Sequence, residues 1–420
     1  MKKHTPWTWI PSLYFAEGLP YVAVMTISVI MYKNLNISNT DIALYTSWLY
    51  FPWVIKPIWS PFVDLIKTKR WWIYTMQLLI GAGMAGIAFT IPTEFFLQAT
   101  LAFFWLLAFS SATHDIAADG FYMLGLSTEK QAFFIGIRNT FYRIAMITGQ
   151  GLLVMFAGYL EKSTGNIPLA WSRTFLLLTG LFIGVACWHK FILPYPKSDI
   201  QRSGITPRTI LSEFGKTFIS FFQKKGIVAA VLFMLTYRLG ESQLVKLASP
   251  FLLDKKDIGG LELSTSEVGF IYGTVGVIAL TLGGILGGIV IAKGGGLKRW
   301  LWPMAIAISL PNLVYLYMAY AIPDNAWIIN TCVAVEQFGY GFGFTAYTMY
   351  LMLFSEGKYK TSHYAICTGF MALGMMLPGM VSGWIQEQIG YQNFFIWVMI
   401  SCIPAFLIIP FLKIKEPTTN

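Results

Sequence analysis

The sequence predicts an all-α integral membrane protein with twelve transmembrane helices in two six-helix halves. Of the 420 residues, 56% are hydrophobic and only 12% are charged, whereas soluble domains carry about 25% charged residues. Many apolar runs approach the roughly 20 residues that a helix needs to cross the hydrocarbon core. One long polar interruption, residues 194–226, divides these runs into two groups of six.

The apolar runs also give the approximate helix boundaries. The predicted helices lie near residues 8–31, 41–61, 71–91, 95–119, 133–158, 170–193, 227–251, 267–291, 300–322, 326–353, 362–386 and 393–413. The first half therefore covers residues 1–193 and the second half covers 227–420. Residues 194–226 form a cytoplasmic linker between them.

Lysine and arginine residues set the predicted orientation, because they concentrate in cytoplasmic loops. With the N-terminus inside, twenty of the 30 Lys and Arg residues fall in inner segments and five in outer segments. Both termini are therefore predicted to be cytoplasmic. The net charge of +10 is then mostly a matter of topology. Since no basic soluble domain is predicted, nucleic acid is not expected as a partner.

The reactive side chains are too scattered to indicate an enzyme or a metal centre. The four cysteines lie singly in apolar runs, without the spacing of zinc ligands or of a disulfide framework. The stretches KGGGLKRW and GYGFGF lack the order of nucleotide-binding fingerprints. A secondary transporter without cofactor or metal is therefore the leading interpretation. A membrane-embedded enzyme and a receptor or channel are the alternatives.

Short similar segments recur in the two predicted halves. KRW at 69–71 returns at 298–300, and GYLE at 158–161 resembles GWIQE at 383–387. Each pair occupies the same place in its half. Two related halves predict a substrate cavity near the bilayer midplane.

Ionisable residues inside the predicted helices are the candidate functional residues. A charge at the bilayer centre costs roughly 2.5–3.5 kcal/mol on insertion scales, so such residues face the bundle interior and pair with one another. Lys56 and Lys246 could instead extend to the interface. The candidates for the substrate cavity are Arg138, Arg143, Arg238, Glu241, Gln243 and Glu336.

The stretch SSATHDIAADGF in helix four carries two candidate carboxylates, Asp115 and Asp119. They are four residues apart and therefore share one helix face. One interpretation is proton coupling. The other is that Asp119 pairs with cations of the cytoplasmic loops and locks the cytoplasmic gate. His114 points elsewhere and is interpreted as a packed or hydrogen-bonded histidine.

Helix one and helix seven carry further candidates. Glu17 is either an acid that lines the cavity and takes part in proton coupling, or the buried partner of Arg143 or Arg138. Gly18 and Pro20 predict a bend nearby, because proline frees a backbone carbonyl. Arg238 and Glu241, three residues apart, form either a structural pair or a substrate contact.

Several motifs together resemble one family of transporters. They are YFAEGLPYVA (14–23), KPIWSPFVD (56–64), SSATHDIAADGF (110–121), FYRIA (141–145) and YRLGESQ (237–243). In order and in helix position they resemble the AmpG-type muropeptide permeases of the major facilitator superfamily, which are similar to acetyl-CoA transporters. The resemblance implies proton-driven import of N-acetylglucosaminyl-anhydro-muramyl peptides across the bacterial inner membrane.

The resemblance also assigns individual residues. It implies that the important helix-four carboxylate is Asp119. Further residues that match positions of the family motifs are Asp115, Arg143, Gly18 and Pro20. Glu17 and Arg138 depart from the family pattern. The loop after helix two has Ser60 and Leu65 where the superfamily has glycine and arginine. Asp64 and Arg70 are the candidates for a gate at this cytoplasmic loop.

The sequence therefore predicts a monomeric, proton-coupled importer of amino-sugar or peptidoglycan-derived muropeptides. It would sit in the bacterial inner membrane, contact lipid, use the proton gradient as its energy source and bind no cofactor. Another sugar-derived oligosaccharide, a siderophore or an acetyl-CoA-like molecule remain alternative substrates. The direction of transport and the coupling ion are also left open.

Overall fold

A computed structural model describes residues 5–197, Asp199, 207–293 and 295–414. The side chain of Asp64 lies outside this description, as do those of several residues in 61–65, 128–135 and 207–214. The described residues form helices and no strands. The α-helices are α1 (Ile10–Val22), α2 (Ser28–Asn34), α3 (Asn39–Trp48), α4 (Phe51–Ile66), α5 (Lys69–Thr90), α6 (Phe96–Gly125), α7 (Thr128–Met146), α8 (Val154–Thr164), α9 (Ile167–Ile192), α10 (Pro207–Phe222), α11 (Ile227–Thr236), α12 (Leu239–Leu253), α13 (Thr265–Phe270), α14 (Val277–Lys293), α15 (Leu297–Ser309), α16 (Leu313–Ala321), α17 (Ala326–Ser355), α18 (Lys360–Ser401) and α19 (Ile403–Ile408).

The helix boundaries follow local side-chain chemistry. Ser38, Thr68 and Asn166 each accept a hydrogen bond from a backbone N–H of the first turn that follows, which satisfies a group the helix itself leaves unpaired. Gly165 ends α8 with φ 62°, a conformation that glycine adopts without strain.

Among the described residues, nine helical segments are long and apolar enough to cross a membrane. The longest, Lys360–Phe411, holds two of the predicted helices, which are separated at Gly390 with φ 75° and ψ 167°. Two further predicted positions are helical but are not among the nine: residues 41–61 are covered by α3 and α4, and 326–353 by α17. The all-helical, multi-span prediction is confirmed, and the count of twelve remains a prediction.

Contacts divide the chain into two compact units. Unit 1 comprises residues 1–31 and 58–211, and unit 2 comprises residues 32–57 and 212–420. Residues 32–57 thus belong to the first half of the sequence but pack in the second unit. The sequence did not predict this grouping, because apolar periodicity identifies a helix but not its neighbour.

In unit 1, α1 packs closely against α7 and the helical turn that follows α7. A Cβ on Gly18 would lie 2.8 Å from Ala145 Cβ, and one on Gly149 would lie 2.7 Å from Val22 Cγ1. The chain stays helical through Pro20 and changes to π-helical geometry at Ala23–Ile27. Gly18, one of the two residues of the predicted bend, therefore packs the Glu17 turn against α7.

A buried polar chain connects four helices of unit 1. The Ser12 hydroxyl lies 2.8 Å from His189 Nε2, and His189 Nδ1 lies 3.0 Å from Gln77 Oε1. Gln77 Nε2 in turn lies 2.9 Å from His114 Nε2. His114 is fully buried, in agreement with its interpretation as a hydrogen-bonded core histidine.

In unit 2, glycines of α18 face the segment made of α3 and α4. A Cβ on Gly383 would lie 1.9 Å from the Asn39 carbonyl oxygen, and one on Gly379 would lie 2.6 Å from Ser47 Oγ. We call Gly379 and Gly383 the glycine face of α18. Backbones approach this closely only where side chains are absent.

Candidate transport site

Three carboxylates of unit 1 come together between α1 and α6. Glu17, Asp115 and Asp119 each offer an oxygen within 4.8 Å of the others. Glu17 is buried, and the two aspartates are half-buried. The predicted shared face of Asp115 and Asp119 is therefore present, and it is turned toward Glu17.

Arg138 of α7 supplies a positive charge to this cluster. Its Nη2 lies 2.9 Å from Asp119 Oδ1, and the Tyr14 hydroxyl donates to the same oxygen at 3.2 Å. The guanidinium carbon lies 4.4 Å from the centre of the Tyr14 ring. Asp119 thus has a cationic partner on a neighbouring helix, and its pairing with cations of the cytoplasmic loops stays a prediction.

This arrangement brings three carboxylates and the Arg138 guanidinium together in one place. The same three oxygens are also close enough together to coordinate a metal cation.

Arg143 lies one and a half turns after Arg138 on α7. Its Nη1 lies 3.5 Å from Met146 Sδ, and among the described residues no carboxylate forms an ion pair with it. The side chain is half-buried. Its bidentate donors therefore remain available to an anionic ligand.

The predicted pair on α12 of unit 2 is formed. Arg238 contacts Glu241 Oε2 through both Nε and Nη2, each at 2.9 Å. Arg238 Nη2 also lies 2.8 Å from the Tyr340 hydroxyl. Both charged side chains are largely buried, so α12 carries a neutralised ion pair joined to α17.

Gln243 and Glu336 lie elsewhere in unit 2. Gln243 accepts from Trp397 Nε1 at 2.7 Å and donates to Ser401 Oγ at 3.1 Å. It borders an apolar cavity of about 360 Å³ next to Trp397. Glu336 is buried and accepts from Gln337 Nε2 at 2.9 Å. The structure does not bring either residue into the Arg238–Glu241 pair.

Of the two loop-gate candidates, Asp64 has a side chain outside the described residues. Arg70 is buried, donates through Nε to the Leu193 carbonyl at 3.2 Å and stacks 3.9 Å from the Tyr195 ring centre. The Asp199 carboxylate accepts the backbone N–H of Arg70 at 3.1 Å. Arg70 thus connects the start of α5 to the end of α9.

Sequence reasoning missed other polar contacts. Lys33 forms an ion pair with Asp254 at 2.6 Å, and Asn39 donates to Gln386 at 2.7 Å. Lys246 is 1% exposed, in contrast to the interfacial alternative. The position of Tyr14 beside the carboxylate cluster could have been predicted, because Tyr14 precedes Glu17 by three residues on the same helix face. The long-range contacts left no signal in a single sequence.

A family model supplies the decisive comparison. The model of the Major Facilitator Superfamily matches residues 12–361. The chain belongs to the major facilitator superfamily. As a member of it, the protein is a multi-pass membrane transporter and not an enzyme.

Curated relatives of this superfamily member extend over almost the whole chain. It is 26% identical over 416 residues to "Putative transporter AmpG 4" of Rickettsia conorii, covering 96% of this chain and 95% of that one. It is 25% identical over 406 residues to "Anhydromuropeptide permease" of Escherichia coli K12, covering 94% and 77%. The predicted resemblance to AmpG-type transporters is confirmed.

Solved structures show the same superfamily fold. The nucleoside transporter NupG matches with a TM-score of 0.72 at 15% identity, covering 98% of this chain and 100% of that one. A D-xylose-proton symporter matches with a TM-score of 0.67 at 14% identity, covering 98% and 97%. At these identities the likeness concerns the fold alone.

Proposed function

We propose that this chain is a proton-coupled symporter that imports amino-sugar or peptidoglycan-derived muropeptides across the bacterial inner membrane. The observation that carries the proposal is the cluster of Glu17, Asp115 and Asp119 beside Arg138 in unit 1. The substrate class is supported by the similarity to a relative named anhydromuropeptide permease. The proton gradient supplies the energy, no cofactor takes part, and the protein works as a monomer in contact with lipid.

Each part of the cluster has a role in this proposal. Asp115 and Glu17 bind and release the coupling proton, and the Asp119–Arg138 pair holds α6 to α7 while they do so. Arg143 and the Arg238–Glu241 pair offer charged contacts to a polar substrate, with Gln243 and Glu336 as further candidates. Asp64 and Arg70 control closure at the cytoplasmic loop. Both termini lie on the same, cytoplasmic side of the membrane.

The experiment is uptake by proteoliposomes that contain the purified chain. Labelled muropeptide, an unrelated oligosaccharide, a siderophore and acetyl-CoA are offered with an imposed pH gradient. We expect muropeptide to accumulate inside and a protonophore to abolish the accumulation. Accumulation of another panel member instead would refute the substrate class.

Two further arms test the coupling ion and the direction of transport. A sodium gradient without a pH gradient should give no accumulation, since the carboxylates are proposed to take a proton. Accumulation under that condition would show that the proton is not the coupling ion. Accumulation that resists the protonophore would show the same. Preferential efflux from preloaded vesicles would contradict import.

A further inference from the structure

Lys246 is a basic residue that the proposed site leaves unexplained. It lies on α12 within the candidate span Ile227–Leu253 and is 1% exposed. Seven residues separate it from the end of the helix, which places it about 10 Å inside that end. The side chain is enclosed and its amine donates to Thr46, so in this structure it does not extend outward as the interfacial alternative requires.

The contacts of the Lys246 ammonium nitrogen come from the segment 46–50. Nζ donates to Thr46 Oγ1 at 3.0 Å, and it lies 5.1 Å from the centre of the Tyr50 ring. The Thr46 hydroxyl donates its own proton to the Ile42 carbonyl at 2.6 Å. Thr46 therefore offers Lys246 a neutral acceptor only.

Three partly buried cations in the described helices each have a carboxylate partner. Lys33 pairs with Asp254, Arg138 with Asp119 and Arg238 with Glu241. Among the described residues no carboxylate forms an ion pair with Lys246. An ammonium ion buried without a counter-ion is strongly unfavourable, and a membrane protein that keeps one commonly uses it in function.

A second polar group lies beside Lys246 without a partner. Ser47 Oγ is fully buried and has no hydrogen-bond partner. A Cβ built on Gly379 would lie 2.6 Å from Ser47 Oγ and 3.5 Å from Lys246 Cγ. The hydroxyl and the lysine stem thus flank the same glycine of α18, at a position where α18 itself provides no side chain.

We propose that Lys246 binds a carboxylate of the transported substrate, with Ser47 as an additional donor. The inference rests on the proposed function and deepens it, since it specifies an anionic substrate. Thr46 and Tyr50 contact the amine in this conformation, so the carboxylate reaches it when α3 moves away from α12 and α18. The amine and the incoming carboxylate are then buried together as an ion pair, so neither charge is buried alone.

The test compares two forms of one ligand that differ only in charge. Muropeptide with its carboxylates free and the same muropeptide with them converted to amides compete for uptake by proteoliposomes. Wild type should prefer the acid by about 10- to 100-fold, the range expected for a charge-assisted hydrogen bond. Lys246→Gln should lose this preference, whereas Lys246→Arg should retain most of it.

Matched variants separate anion binding from a structural role. Lys256→Gln removes an exposed lysine that pairs with Asp324 and should leave the acid-to-amide ratio unchanged. Thr46→Val removes the acceptor of Lys246 but not its charge, so the ratio should persist even if thermal stability falls. A Lys246→Gln variant that keeps the wild-type ratio would overturn the inference.

The outcomes also distinguish this inference from the proposed function. A wild type that takes up neither form of muropeptide would refute the muropeptide proposal. The acid and amide forms of whichever panel member it does transport then decide the role of Lys246. Equal uptake of both forms by the wild type would refute anion binding directly.

Discussion

Asp115 and Asp119 occupy the same helix face one turn apart, but their described contacts differ. Asp119 accepts from Arg138 at 2.9 Å and from Tyr14 at 3.2 Å. Asp115 lies within reach of Glu17 in the same cluster. Of the two, Asp119 is the residue whose described ion pair joins α6 to α7.

This difference leads to a prediction for the two aspartates. Asp115→Asn should abolish pH-driven accumulation and leave some exchange of substrate between equal concentrations, because the coupling proton is lost but the helices still move. Asp119→Asn should impair both, because Arg138 loses its counter-ion. Counterflow and pH-driven uptake in proteoliposomes measure the two activities separately.

The control for this pair is Asp324→Asn, which removes an exposed carboxylate paired with Lys256 and should affect neither activity. Normal accumulation by Asp115→Asn would move the coupling role to Asp119 or Glu17. Full counterflow by Asp119→Asn would show that its pair with Arg138 is dispensable for the transport cycle.

Sequence reasoning worked at the residue scale where the information was local. The shared face of Asp115 and Asp119 and the Arg238–Glu241 pair follow from helical spacing alone. The burial of Lys246 and its contact with Thr46 do not, because these residues are 200 positions apart. Periodicity tells which side of a helix a residue occupies, not which other helix lies opposite.

At the scale of elements, the contact between α3 and α18 depends on the glycine face. A methyl group on Gly383 would approach the Asn39 carbonyl oxygen to 1.9 Å. This atom belongs to the backbone, so it cannot rotate away. Helix propensity alone would favour alanine over glycine by about 1 kcal/mol, and the close approach must outweigh that preference.

We therefore expect Gly383→Ala to destabilise the protein by about 1–3 kcal/mol, the usual range for overpacking. Thermal unfolding in detergent measures the effect. Gly288→Ala is the matched control, because it places the same methyl group on a helix of the same unit with no atom within 4 Å. It should be neutral or slightly stabilising. Equal behaviour of the two variants would show that α3 does not depend on this contact.

Helix positions were predicted well at this scale, and interruptions within helices were not. The runs of apolar residues matched the described helices because each run is close to the thickness of a bilayer. The break at Leu49–Tyr50 between α3 and α4 and the π-helical turn at Ala23–Ile27 lie inside continuous apolar sequence. They lie within a few residues of Pro52 and Pro20, which remove a backbone N–H each, and the sequence predicted a bend at only the second of these prolines.

At the scale of the whole molecule, the Lys and Arg distribution makes a prediction about topology. Reporter tags at the N-terminus, in the 194–226 linker and at the C-terminus should all report the cytoplasm, because twenty basic residues lie in inner segments and five in outer ones. Reporter activity on each side of the membrane in intact cells measures this. A tag between α2 and α3 should report the opposite side. A periplasmic signal from any of the first three would overturn the twelve-helix assignment.

A carrier that uses an ion gradient must also prevent that gradient from dissipating, and the glycine face bears on this requirement. Protons travel readily along files of water, and one water molecule needs about 10–15 Å³ of free space. Where the Gly383 backbone meets the Asn39 carbonyl, even one added carbon would be 1.9 Å away. At this point of the interface, the absence of a side chain leaves no free volume between α3 and α18.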